Sequence, residues 1–266
     1  IGAMTGLDRV RREVQVAASH DEAGHEVTPQ RVFGYDTLVI AVGSQSNDFG
    51  TPGVSAHAMT LESQSDARRF HAGMINACIR AHAQTAPLRP EQLKVAIIGA
   101  GATGVELAAE LHRTTRQMVA YGLDRVDPDK DLQISVIEAG DRVLPALPPR
   151  LSRATENLLA KLGVQVHTGA RVAEVLHNGV LLADGRVLPA ELVVWAAGVK
   201  APDFLKDLGG LETNRINQLV LRPTLQTTQD DDVFAMGDCA ACAWPGHSTV
   251  PPRAQAAHQQ ATHLYK

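Results

Sequence analysis

Apolar residues along this chain fall into short β-branched clusters closed by glycine and longer stretches at helical spacing, and the alternation of the two predicts an α/β fold. Strands are expected over Asp8–Val16 and Phe33–Val42, most clearly in Tyr35-Asp36-Thr37-Leu38-Val39-Ile40-Ala41-Val42-Gly43-Ser44, whose apolar centre reads as a buried strand ending at a glycine turn. Thr51-Pro52-Gly53 marks a break, read as a domain boundary, and a helix from Ser65 to Ala86 is expected to stop before Pro87 and Pro90. Lys94–Ala120 reads as an apolar strand, a glycine-rich turn and a long helix that turns Val105, Ala108, Ala109 and Leu111 toward a core. Leu132–Glu138 is a second strand, and the charged Gly122–Asp131 segment before it, with Pro128, is expected to be an exposed insertion. Leu151–Leu162 is a helix stopped by Gly163. Short strands follow at Val164–Val175, Gly179–Leu182 and Val187–Leu188, with Asp184-Gly185 as a hairpin turn, and Leu192–Gly198 is a buried strand ending on glycine.

Composition narrows the class. With 266 residues and 44% hydrophobic content the chain can bury the core of one large or two modest domains. The net charge of -4 is spread through the sequence, so there is no basic face for nucleic acid. No apolar run approaches the roughly 18–20 residues of a membrane span, and no signal segment opens the chain, so a soluble protein is expected. The termini, Ile1-Gly2-Ala3-Met4 and Leu264-Tyr265-Lys266, read as those of a piece of a longer chain. Three cysteines are too few for a disulfide framework and suggest a reducing, cytoplasmic compartment. Cys239 and Cys242 form C-x-x-C, a spacing used by redox disulfides and zinc sites; with no second such pair, a buried, inert pair is expected. Of the eleven histidines only His258 falls in a candidate site, and no metal is expected.

The glycine-rich turn carries the most chemistry. Gly99-Ala100-Gly101-Ala102-Thr103-Gly104 fits G-x-G-x-x-G and lies between a strand and a helix, the context that makes the pattern informative. Gly99 permits the tight turn, Gly101 leaves room for a pyrophosphate against the backbone, and Gly104 lets helix and strand pack closely. Free N–H groups at the helix start, with Ala102 and Thr103, favour an anion. Glu138, at the end of the second strand, stands where an acid binds a ribose hydroxyl. Its distance from the glycines exceeds the usual interval of about 20 residues, which the Gly122–Asp131 insertion accounts for. A carboxylate there repels a 2′-phosphate, so NADH is favoured over NADPH.

Beyond this turn the sequence resembles the flavoproteins with two dinucleotide-binding domains and, within them, the type II NADH dehydrogenases, over essentially its full length. Ala41-Val42-Gly43-Ser44 resembles the family's ATG-type strand end, with Val42 where threonine is commoner, and Phe234-Ala235-Met236-Gly237-Asp238 resembles its second flavin motif. Pro251-Pro252-Arg253-Ala254-Gln255-Ala256-Ala257-His258-Gln259-Gln260 resembles the quinone-site helix that opens with proline; Gln255 and Gln259, at i and i+4, share a face on which both amides can meet one planar ligand.

The resemblance implies a Rossmann-like NADH-binding domain, a parallel sheet with helices plus a β-meander, inserted in part of an FAD-binding domain. The expected limits are 1–54 and 201–266 for the flavin part and 55–200 for the NADH part. It implies an enzyme passing electrons from NADH through FAD to a membrane quinone without pumping protons, bound peripherally at the cytoplasmic face of a bacterial inner membrane; a homodimer is one assembly it admits. Glu106, Gln255 and Gln259 are implied as catalytic, and Gly99, Gly101, Ala102, Thr103, Gly104, Glu138, Gly198, Gly237 and Asp238 as cofactor-binding. The family's earlier glycine-rich unit for FAD and its later membrane segment are not in this sequence, so poor FAD binding and no activity of the chain alone are expected. Two alternatives stay open: an NADH-dependent flavoprotein reductase of a ferredoxin-like protein, for which an electropositive docking surface would be expected, and a non-catalytic nucleotide-sensing module.

Overall fold

The fold is that of a computed structural model describing residues 2–21, 23–120, 125–244, 246 and 249–265; for residues 115 and 117–120 only the backbone is described. It divides into two compact units, Ile1–Gln45 with Val199–Lys266, and Ser46–Gly198. The described residues include no helix long and apolar enough to cross a membrane.

The chain opens with β1 (Met4–Asp8), β2 (Glu13–Val16) and β3 (Arg31–Gly34), an antiparallel sheet in that order. The single strand expected over Asp8–Val16 is therefore a hairpin. Asp8 Oδ1 accepts the amides of Val10 and Arg11 at 3.0 and 2.9 Å, and Arg12 adopts φ 55°. The expected Phe33–Val42 strand is likewise two, because the chain bends at Asp36 and Thr37 between β3 and β4 (Leu38–Ile40). Nor is β4 buried on both faces: Ile40 is in the core, while Val39 is 44% exposed.

The second unit carries α1 (Gln64–Ala83), β5 (Lys94–Ile98), α2 (Ala102–Ala120), β6 (Gln133–Ile137), α3 (Pro149–Lys161) and β7 (Gln165–His167). An antiparallel meander, β8 (Val172–Leu176), β9 (Gly179–Leu182) and β10 (Val187–Pro189), precedes β11 (Leu192–Trp195). The α1 helix starts one residue before its expected position because Ser63 and Asp66 form a reciprocal capping box. The central sheet is parallel throughout, in the order β7-β6-β5-β11. Successive side chains on a strand point to opposite faces. Val95, Ile97, Val136 and Val194 accordingly pack with Phe70, Met74, Ala108, Leu111 and Leu159 of the helices. Ala96, Ile98, Ile137, Val193 and Trp195 pack with Val175, Val180 and Leu182 of the meander. Both faces are thus covered, as a parallel sheet requires, and each buried Val, Leu or Ile contributes about 1.5–3 kcal/mol relative to exposure.

Two expectations in this unit need correction. Val164–Val175 is interrupted by Gly169 at φ 64°, which separates β7 from β8. The expected exposed insertion, Gly122–Asp131, lies outside the described residues at 122–124, and its later part is anchored: Val126 is 5% exposed and packs with Ala77, Cys78, Ala81 and Leu93. The Asp184-Gly185 turn is as expected, with Gly185 at φ 85°.

The chain returns to the first unit as β12 (Leu219–Leu221), β13 (Gln226–Thr227), β14 (Asp230–Ala235), β15 (Ala240–Cys242) and α4 (Ala254–Tyr265). Their sheet runs β15-β12-β13-β14-β4, with β14 parallel to β4 and Ala235 opposite Ile40. Parallel neighbours end at the same sheet edge, so the segments after Ile40 and Ala235 emerge side by side. That placement builds the first unit's candidate site.

Candidate functional site

In the second unit the glycine-rich loop follows β5 directly. Gly99 has φ 105°, and a Cβ there would lie 2.7 Å from Ala197 N. A Cβ on Gly104 would lie 1.9 Å from the Gly99 carbonyl oxygen and 3.4 Å from Ile97 Cγ2, so its absence lets α2 sit on β5. Gly101 differs: its missing Cβ faces open space, with nothing within 4 Å. Ala102 and Thr103 are exposed at the start of α2, whose first N–H groups have no partner within the helix.

Glu138 lies just past β6 and turns back on the loop. Its Oε2 accepts the Ala100 amide and its Oε1 the Gly140 amide, both at 2.8 Å. Gly99 N–H to Ile137 O and Leu144 N–H to Ala100 O, each 2.8 Å, brace the same turn. Gly99, Gly101, Ile137 and Glu138 line a cleft of about 520 Å³ whose lining toward the end of β11 includes Phe49, Trp195 and Gly198. That volume suits a small-molecule ligand. The Trp195 indole N–H bonds to Asn47 O and Ala197 O, both at 2.9 Å, tying two lining segments together. Glu106 is exposed on α2, whereas Glu110 is occupied by Arg113 at 2.7 Å.

The first unit gathers a second constellation. Ser44 Oγ–H donates to Asp238 Oδ2 at 2.9 Å, and the Gln218 side-chain amide donates to the Asp238 carbonyl at 2.8 Å. No protein donor reaches Asp238 Oδ1 among the described residues, so this oxygen can accept a hydroxyl of a bound polyol chain. Gly237, at φ 76°, donates its N–H to Gln260 Oε1 at 2.8 Å, and a Cβ on it would come 3.7 Å from the Ala257 Cβ of α4. The helix begins at Ala254, after the prolines rather than at Pro251. Gln255, His258 and Gln259 are exposed. Gln260, absent from the expected site residues, is the buried one and joins α4 to Gly237. Its signal was present as the inward neighbour of an outward Gln, but only the contact with Gly237 gives it meaning.

Cys239 and Cys242 are buried free thiols. Burial pushes both thiols up, which disfavours the thiolate that acts as the nucleophile.

The pyridine nucleotide-disulphide oxidoreductase family model matches residues 3–261. The type II NADH:quinone oxidoreductase of Haemophilus influenzae is 40% identical over 272 residues, covering 98% of this chain and 61% of that protein. The mitochondrial external alternative NAD(P)H-ubiquinone oxidoreductase B1 of Arabidopsis thaliana is 32% identical over 255 residues, covering 89% of this chain and 42% of that protein. A structure of NDH2 from Plasmodium falciparum in complex with NADH shares the fold, with a TM-score of 0.79 at 22% identity over 91% of this chain and 50% of that one. The chain therefore spans less than two thirds of each.

Proposed function

This chain belongs to the pyridine nucleotide-disulphide oxidoreductase family, and from that premise we propose that it serves electron transfer from NADH through FAD to a quinone, with residues 46–198 holding NADH. The observation that carries this reading is the open face of Gly101 at the start of α2. A pyrophosphate can approach the backbone there and meet free N–H groups and the positive end of the helix dipole. Each Glu138 oxygen accepts one amide and keeps a lone pair for a ribose hydroxyl, while the negative charge disfavours the 2′-phosphate of NADPH.

FAD, when bound, supplies the hydride acceptor and the two-electron chemistry. In the chain itself, Ser44 orients Asp238, which offers Oδ1 to the flavin's polyol chain, and Gln260 holds Gly237 in place. Gln255 and Gln259 offer exposed amide N–H groups to the carbonyls of a quinone. Glu106, on the exposed side of α2, is assigned to the nicotinamide end by the family resemblance. The same reading puts the protein at the cytoplasmic face of a membrane as a peripheral protein.

Calorimetric titration of the chain with NADH and NADPH, with an absorbance scan alongside, tests this. NADH should bind at least about tenfold more tightly, a difference of ~1.4 kcal/mol, and little flavin should co-purify. Binding of neither nucleotide would sink the nucleotide reading; stoichiometric flavin would overturn the expectation of poor FAD retention. In a quinone-reducing preparation, Gln255→Ala and Gln259→Ala should lower quinone reduction while reduction of a soluble dye persists.

A further inference from the structure

The glycine loop and Glu138 account for the middle and one end of the nucleotide cleft; its lining toward the end of β11 includes a residue to which no motif points. Phe49 sits in the polar run Ser46-Asn47-Asp48-Phe49-Gly50. Asn47 Oδ1 accepts its amide at 3.0 Å, and Asp48 Oδ1 accepts the amide of Gly50 at 3.0 Å. Phe49 adopts φ 53°, a left-handed conformation unfavourable for a bulky residue. Its side chain is far from sequestered, for the residue is 65% exposed. The ring nevertheless has a definite seat. A Cβ on Gly198 would lie 2.3 Å from Phe49 Cζ and 2.7 Å from Cε2, so the phenyl ring rests where that side chain would be. The left-handed backbone is a local strain that the largely exposed ring does little to offset by burial, and such an outlier calls for a role in the cleft that the ring lines.

The sheet order says which part of a dinucleotide this end would meet. With the pyrophosphate at Gly101 after β5, and the adenosine ribose at Glu138 after β6, the other half of the molecule extends toward the strand on the opposite side of β5. That strand is β11, and Ala197 and Gly198 follow its end. We infer that the Phe49 ring is the wall against which the nicotinamide ring of NADH packs, making Phe49 a substrate-contacting residue for the redox end of the coenzyme. The inference rests on the reading of this cleft as the NADH site. A planar nicotinamide suits a phenyl ring in an offset or edge arrangement, with no hydrogen bond required.

The test uses the full chain and two ligands, NADH and ADP-ribose, the latter keeping the adenosine and pyrophosphate but lacking the nicotinamide ring. Phe49→Ala should weaken NADH roughly three- to tenfold, the range expected of an aromatic pair, and leave ADP-ribose affinity unchanged. Phe49→Tyr should keep NADH affinity. An equal loss for both ligands would make Phe49 a loop scaffold, and no loss for either would make it irrelevant; each overturns the inference while leaving the cleft reading standing. Failure of the unsubstituted chain to bind either ligand would overturn both.

Discussion

The two units assemble their candidate sites in opposite ways. In the second unit the site is mostly backbone: glycines lacking side chains, amides at a helix start and one carboxylate folded onto the loop, all from residues 46–198. In the first it is mostly side chains, and Ser44, Gln218, Asp238 and Gln260 come together from distant parts of the sequence through paired strands and a helix. A backbone site is intolerant of added atoms, whereas a side-chain site is intolerant of lost partners. Substitutions can therefore tell the two apart.

The largest effect is expected at Gly104. A methyl group there meets the Gly99 carbonyl at 1.9 Å, so Gly104→Ala should cost about 3 kcal/mol. A denaturation midpoint equal to that of the unsubstituted chain would contradict the packing described for α2 on β5. Gln260→Leu comes next, since it strips the Gly237 N–H of its acceptor, at a cost of about 1–3 kcal/mol in the same measurement. Gln255→Ala and Gln259→Ala should stay within about 0.5 kcal/mol; if they destabilise as much as Gln260→Leu, the division of α4 into an anchoring and a free face is wrong. Gly101→Ala should also leave stability within about 0.5 kcal/mol, because its Cβ enters open space, yet reduce NADH affinity by at least about tenfold, ~1.4 kcal/mol. Unchanged affinity would remove the pyrophosphate from that spot.

The smallest effect concerns pH. Burial is the main cause holding His112 and His167, both in the second unit, below the usual histidine range, with Arg116 and Arg186 adding to it. A histidine with a depressed folded-state pKa stabilises fully above its unfolded value, near ~6.5, and loses that contribution as pH falls through the folded value. Asp203, in the first unit, is held low chiefly by Lys200, so its contribution should persist until pH drops below about 3.9. Hydrogen exchange resolved by peptide between pH 7 and 5 should show the second unit loosening first, and His167→Gln should blunt that trend. Equal loosening of both units would refute the assignment.

What could be read in advance follows from how local each feature is. The parallel strands β5, β6 and β11 were legible because both their faces are buried, and the glycine loop because its function depends on near neighbours. The hairpin at Asp8 was not: Val10 continues the strand-like pattern yet sits at the turn, 96% exposed. Phe33–Val42 misled in the same way, since nothing in its apolar run announces the bend at Asp36 and Thr37. Gln260 and Phe49 were missed because each gains its meaning from a residue remote in sequence, Gly237 and Gly198, brought close by strand pairing or loop closure.

Glu138 also bears on how this protein could change over generations. Both carboxylate oxygens are already engaged by the amides of Ala100 and Gly140. A glutamine would offer one oxygen and turn an N–H donor toward another N–H; a residue with no side-chain acceptor would leave both amides unanswered. Under the proposed role of Glu138 at the ribose, a lineage moving toward NADPH could not simply exchange this residue. It would first need replacement acceptors for the turn, so coenzyme preference and loop integrity are inherited together.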